Sequence, residues 1–328
     1  MKKILSIITA LLLIVLPLSA CNDNNIKTIR LNEVTHSVFY APLYVAIENG
    51  YFENENIKIE LTNGGGADKV MTALLSDGAD IGLMGPESTI YVYNQGKKDY
   101  PVTFAQLTQR DGSFLVSRQA EPNFKWSDLQ GKEVLAGRRG GVPAMTFEYM
   151  MKENGLYNGK DFTMNFDVQF NLMTSAFING TADYCTVFEP TASEYQAQGL
   201  WHIVASVGEG SGEIPYTSFI ANQSYIKNNE EIIKSFMKAI LKGIEFINEN
   251  SDTTIAQAIV KQFPDTTINS IATSINSYKK INAWTNDLVM SEASFDRLQN
   301  IMINAGELTE KVPFIELVDN SFAISLQK

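Results

Sequence analysis

Two stretches roughly a hundred residues apart share one grammar, and this repeat narrows the possible folds more than any other feature. A helix opening at Pro42 stops at Glu48-Asn49-Gly50, and one opening at Pro143 stops at Glu153-Asn154-Gly155, 105 positions on from Glu48. Met71-Thr72-Ala73-Leu74-Leu75, then Gly78-Ala79-Asp80, is echoed 102 positions later by Met173-Thr174-Ser175-Ala176-Phe177 and Gly180-Thr181-Ala182-Asp183. Each copy runs into a strand and then a proline, Pro86 or Pro190, at the next helix start. Alternating apolar residues predict strands over 28–34, 58–61 and 80–84, interleaved with helices at the spacing of α/β folds. After Val207 the pattern changes. A Gly/Glu/Ser stretch holds Gly208, Gly210 and Gly212, and 216–221 reads as a strand returning to the first half. Beyond Ser224 the chain is helical, with Asn229 placed to cap a long helix carrying Ile232, Ile233, Phe236, Ile240 and Ile244 on one face. The expected fold is α/β: a two-lobed clamshell, each lobe a mixed sheet flanked by helices. Lobe 1 takes 27–116 plus 216–328 and lobe 2 takes 117–215, with hinge crossings near Ser117 and over 208–216. Ligands of such sheets lie beyond the strand carboxyl ends.

The first twenty residues stand apart from this pattern. Lys2 and Lys3 precede an uncharged apolar run from Ile4 to Leu18, which reads as a secretory signal. Its end, Leu18-Ser19-Ala20-Cys21, resembles the bacterial lipobox. That resemblance implies cleavage before Cys21, a diacylglyceryl group on the Cys21 sulfur, and a polar tether over 21–26. Acyl chains hold a protein at a membrane because each buried CH₂ contributes about 0.8 kcal/mol. Removing 20 of 328 residues, Lys2 and Lys3 among them, takes the net charge from −11 to −13. Such acidity argues against nucleic acid or an anionic membrane surface as the main partner. Two cysteines and two histidines exclude a multi-cysteine zinc site and disfavour a His-rich metal centre. With Cys21 lipidated, Cys185 remains a lone thiol. No metal and no cofactor is expected.

The segment Phe39-Tyr40-Ala41-Pro42-Leu43-Tyr44-Val45-Ala46, followed by Gly50-Tyr51-Phe52 and Ile57-Lys58-Ile59-Glu60-Leu61, resembles the substrate-binding proteins of ABC importers. The branch is the one that includes nitrate, sulfonate, taurine and thiamine-pyrimidine binding proteins. The resemblance implies a type II periplasmic-binding-protein fold and a monomer at the extracytoplasmic face of the cell membrane. It also implies capture of a small solute and delivery to a permease with its ATPase. The chain has no Walker loop of its own, so ATP chemistry falls to those partners.

The clamshell puts the strand-to-helix loops at the cleft, where free helix N–H groups face a ligand. From the first loops, His36 either bonds the ligand or caps its loop. Phe39 and Tyr40 stack on a ring, or one of them packs under Pro42. Gly65, amid Gly64-Gly65-Gly66, allows close backbone approach or simply a tight turn. Glu87 and Ser88 either touch ligand or suit a first helical turn. In the second half, Arg138 and Arg139 can clamp an anion, pair with a cleft acid, or stay solvated. Where sulfonate-type relatives usually show Gly-Ser-Thr, this chain has Gly141-Val142-Pro143, which speaks against a simple sulfonate or nitrate. Asn171 contacts ligand or caps a helix. Glu189 suits an amine or aminopyrimidine, with Phe188 covering a ring. Tyr216 opens the returning strand, and Trp284 lines the cleft rim or anchors the core. The mixture favours a polar heteroaromatic or amine-bearing solute of the thiamine-pyrimidine kind, with an anion binder as the alternative. An enzyme resembling the fungal thiamine-pyrimidine synthases needs a cysteine-rich iron segment, whereas this chain offers Cys185 alone beside the predicted cleft strand. A third class, an adhesin or structural lipoprotein, would bind no solute.

Overall fold

The computed structural model describes residues 26–327. The signal segment and Cys21, with the predicted lipid, lie outside the described residues. Among the described residues, ten strands form two five-stranded sheets. The first has the order β2-β1-β3-β10-β4, from β1 (Lys27–Glu33), β2 (Ile57–Asn63), β3 (Ile81–Met84), β4 (Pro101–Thr108) and β10 (Thr217–Asn222). The second has the order β7-β6-β8-β5-β9, from β5 (Ser113–Ser117), β6 (Glu133–Leu135), β7 (Thr163–Met164), β8 (Tyr184–Phe188) and β9 (His202–Ser206). Both sheets have one plan. Three parallel strands lie beside one antiparallel strand, and that strand arrives through a crossing between the sheets. The repeat in the sequence is thus a repeat of sheet topology.

Local chemistry explains the elements. In β1 the alternation buries Ile29, Leu31 and Glu33 on one face. Helix α1 (Ala41–Glu48) has proline in its first turn, where no N–H is needed, and Gly50 turns the chain away at φ 71°. Helices α2 (Ala67–Leu75) and α3 (Glu87–Asn94) follow β2 and β3; α4 (Val142–Glu153), α5 (Met173–Asn179) and α6 (Thr191–Ala197) do the same in the second half. A short helix, α7 (Val207–Ser211), and then α8 (Gln223–Asn228) lead to the long α9 (Glu230–Glu249). Ile233, Phe236, Met237, Ile240, Ile244 and Ile247 form the buried stripe of α9, packed on α1. Burial of each side chain contributes about 1.5–3 kcal/mol as an upper figure. Asn229 precedes α9 as expected but does not cap it: its amide donates to the Tyr225 carbonyl.

The chain passes between sheets twice. The first passage was expected near Ser117, yet Ser117 ends β5 inside the second sheet, and the crossing runs over 109–112. The continuous burial of 113–117 marks a strand paired on both sides. The second passage runs over 207–216. A Cβ on Gly208 would lie 2.0 Å from the Asp111 carbonyl oxygen, so only glycine lets the two passages touch there. Gly212 is needed for a different reason, its φ of 72°. No helix among the described residues is long and apolar enough to cross a membrane.

Candidate functional site

The loops at the carboxyl ends of the strands of both sheets meet around two adjoining cavities. The first, ≈ 50 Å³, takes Val34, Thr35 and Tyr40 from the loop after β1, Gly66 and Ala67 from the entry of α2, and Gly85 and Glu87 from the entry of α3. From across the cleft come Arg138, Gly141, Val142, Pro143, Phe170 and Phe188, while Tyr216 and Thr217 close its floor at the start of β10. The second, ≈ 140 Å³, shares Thr35, Phe170 and Phe188 with the first and adds His36, Ser37, Asn171, Thr174, Thr186, Glu189 and Thr191. Direct contacts hold the two halves together around them. Ser37 Oγ donates to the Glu189 carbonyl at 2.6 Å, Tyr91 Oη to the Gly140 carbonyl at 2.9 Å, and Arg138 Nε lies 3.5 Å from Asp68 Oδ1.

Glu87 is the charged centre of the first cavity. As the first residue of α3 it sits where a helix favours an acid, and it is 2% exposed with no hydrogen-bond partner on Oε2. Burial pushes its carboxyl up to about 7, against the pull of Arg138 and the backbone N–H groups of Glu87, Ser88 and Val142. Glu87 of one half therefore stands against the N-terminus of α4 in the other. Around it are Tyr40, Tyr216, Phe170 and Phe188, a mostly apolar wall.

The other predicted residues divide sharply. Tyr40, Arg138, Gly141, Phe188 and Tyr216 line the first cavity; His36, Asn171 and Glu189 line the second. Phe39 does not reach either. It is fully buried beneath the floor, its ring meeting Tyr278, Phe188 and Tyr216 at centroid distances of 4.9–5.8 Å. Trp284 is likewise core, with its indole N–H given to the Phe39 carbonyl at 2.8 Å. Arg139 turns outward and places its guanidinium 4.2 Å from the centre of the Phe166 ring. Ser88 is absorbed in the first turn of α3. Gly65 has φ 69° and faces Asn171 beside the cavity, while its neighbour Gly66 forms the wall. Asn171 lies in a 3-10 turn and caps nothing. Cys185 is buried in the core, away from both cavities, with burial raising its thiol far above the usual range.

Two site residues are spent on structure. Glu189 accepts from the backbone N–H and hydroxyl of Ser193, at 2.9 and 2.7 Å, which ties the entry of α6. His36 presents Nε2 to the Gln262 carbonyl at 2.8 Å and Nδ1 to Glu33 Oε1 at 2.6 Å. A carbonyl and a carboxylate both call for donors, an arrangement that favours the doubly protonated ring. Burial opposes that charge, but the hydrogen bond and attraction of Glu33, with the Gln262 carbonyl, raise the His36 pKa overall.

Phe170 and Thr217 escaped the reading of the sequence. Phe170 directly precedes Asn171, and a large aromatic in a polar loop is a usable signal. Thr217 follows Tyr216 at the start of a wholly buried strand, where nothing local singles it out.

A family model described as "NMT1/THI5 like" matches residues 38–254. The chain belongs to the NMT1/THI5-like family. Among its relatives is the "Putative binding protein YtlA" of Bacillus subtilis (strain 168), 43% identical over 307 residues, 93% of this chain and 92% of that protein. The formylaminopyrimidine-binding protein of Halalkalibacterium halodurans is 26% identical over 270 residues, 78% of each chain. Of solved structures, the alkanesulfonate-binding protein SsuA from Xanthomonas axonopodis pv. citri, bound to MOPS, superposes with a TM-score of 0.72 at 15% identity. That match covers 89% of this chain and 98% of the other. The NMT1/THI5-like chain thus has the two-lobed periplasmic-binding-protein fold, and its cavities lie between the two sheets.

Proposed function

We propose that the protein is an extracytoplasmic, lipid-anchored solute-binding protein that delivers a small aminopyrimidine-like solute to an ABC permease and its ATPase. The observation that carries this reading is Glu87, a buried carboxyl with a free oxygen among four aromatic rings. An aminopyrimidine presents an amino N–H beside a ring nitrogen. A carboxyl titrating near neutrality accepts from the first and, when protonated, donates to the second. Tyr40, Phe170, Phe188 and Tyr216 supply flat apolar surface for the ring. The formylaminopyrimidine-binding relative supports the same class.

A sulfonate or similar anion is the second reading, favoured by Arg138 and by the N-terminus of α4. Glu87 weakens it, because its own carboxyl already faces those donors. Binding is preferred to catalysis, since Cys185, the thiol that an enzyme reading would enlist, is enclosed in the core. In this reading the lobes close about the two crossings, and a ligand favours closure by touching both of them. Calorimetry of the cleaved protein against aminopyrimidines, taurine, alkanesulfonates and nitrate tests the solute class. Saturable binding of the aminopyrimidine alone is expected, and binding only of the sulfonates would overturn the reading. The anchor is tested separately: Cys21→Ala should release the protein from the membrane fraction.

A further inference from the structure

Outside the two cavities, α4 of the second half is gripped at both ends by the first half. At its entry, the Tyr91 hydroxyl of α3 donates to the Gly140 carbonyl at 2.9 Å, two residues before the helix begins. At its other end, the Lys152 ammonium gives two hydrogen bonds to Asn304, 2.7 Å to the carbonyl and 3.0 Å to the side-chain oxygen. Asn304 closes a helix of the first half. After α9 the chain forms α10 (Asp252–Ile259), α11 (Ile268–Lys280) and α12 (Glu292–Asn304), and further on Val318 bridges to Thr103 of β4. Helix α12 packs on both α3 and α4. Midway along it, Arg297 donates to the Ser211 carbonyl in the second crossing at 2.7 Å. That anchor lies about 10 Å along the helix axis before Asn304. The last carbonyls of a helix lack partners within it and form its negative dipole end, so an ammonium suits that place. None of Tyr91, Lys152 and Asn304 lines either cavity.

We propose that these two contacts form a clasp that sets how strongly the halves favour the closed arrangement, with Tyr91 and Lys152 as positioning residues that govern affinity without touching the solute. The proposal rests on the solute-binding reading and adds to it the control of closure from outside the cavities. Helix α4 carries at its N-terminus the Val142 N–H that faces Glu87, so the seat of α4 decides whether the two walls of the site meet. The apparent dissociation constant of a ligand is its intrinsic value divided by the fraction of protein in the binding form. Each clasp bond exists only while α3 and α12 meet α4. Its loss therefore raises the open fraction and leaves the contacts to the solute as they were. Lys152 and Asn304 meet at the surface, which keeps the effect on global unfolding small.

Spin labels at Thr72→Cys and Ser175→Cys, both exposed, report the separation of α2 and α5 across the cleft. The mature chain carries Cys21→Ala for this purpose, and its remaining thiol, Cys185, is enclosed in the core. Without added solute, Tyr91→Phe and Lys152→Met should each raise the ratio of long to short distances about threefold, and the double variant about tenfold. Lys152→Arg keeps charge and reach and should match the parent, and the urea midpoint should stay in place throughout. An unmoved distance distribution in the double variant would overturn the clasp. So would a lengthening that Lys152→Arg shares, or one that accompanies a lower urea midpoint, since either marks a damaged fold. A methyl-aminopyrimidine then tests the consequence for binding. The double variant should bind it roughly three- to tenfold more weakly, through faster dissociation. Unchanged affinity beside a shifted distribution would overturn the link between clasp and affinity. If the probe binds neither parent nor variant, the aminopyrimidine reading falls, and the distances still decide the clasp.

Discussion

Glu87 and Glu189 occupy related places in the two halves, one just after Pro86 and the other just before Pro190, each at a helix entry facing the cleft. Both are almost wholly buried. Their fates differ because of what their own halves supply. Ser193, one helical turn into α6, gives Glu189 two hydrogen bonds and keeps it at home. Glu87 keeps a carboxyl oxygen with no partner and looks across to α4 of the opposite half. A duplicated framework thus yields one acid that secures its own lobe and one that keeps an unpartnered oxygen at the cleft. Burial alone does not separate the two, whereas the accounting of hydrogen-bond partners does.

The sharpest way to break this comparison is the pH dependence of stability. The Glu87 carboxyl sits at about 7 when folded, above its ordinary 4.5, because burial disfavours the anion. The folded state therefore holds the proton more tightly. The stability so conferred is full below 4.5, falls as pH rises, and is gone above about 7. That gap is worth on the order of 3 kcal/mol. Glu87→Gln, neutral at every pH, should remove the decline: the variant should melt several degrees higher than the parent at pH 8 and near the parent at pH 4.5. Thermal melts across pH 4–9 check this, and an unchanged slope would sink the assignment. The same substitution should weaken aminopyrimidine binding at pH 7 by roughly thirtyfold, about 2 kcal/mol, through loss of a charged partner.

Glu189→Ala should act in the opposite way. Losing two hydrogen bonds at the entry of α6 should cost about 1–2 kcal/mol of stability in the ligand-free protein, read as a lower urea midpoint at unchanged slope. Weakened binding with an unshifted midpoint would instead make Glu189 a ligand group.

The punctuation of the chain was plain in its residues. Pro42, Pro143 and Gly50 mark helix ends, and the alternation in 28–34 marks a strand, since these signals are local. The first crossing was not, because Phe114-Leu115-Val116 reads as a buried strand in either sheet and only its partners decide. Phe39 and Trp284 stayed open between cleft and core for a related reason: an aromatic beside a cleft loop is apolar on both sides of the floor, and tertiary packing chooses between them. Glu189 was legible in principle, through Ser193 four residues on. Glu87 needed Val142 and Arg138, which lie more than fifty residues away.

A third buried acid sharpens the contrast with the smallest effect. Glu33 ends β1, is 1% exposed, and is paired with the His36 ring and the Tyr44 hydroxyl, at 2.6 and 2.7 Å. Because the folded His36 pKa is raised, its contribution is full below its ordinary 6.5 and fades as pH climbs through the folded value. His36→Gln keeps a donor but not the charge. It should therefore cost on the order of 1 kcal/mol at pH 6 and less at pH 9, the reverse of the Glu87→Gln profile. Melts at the two pH values measure the difference, and an equal loss at both would mean that the ring serves by packing against Tyr44 and Phe263, at 4.8 Å each, and not by its charge.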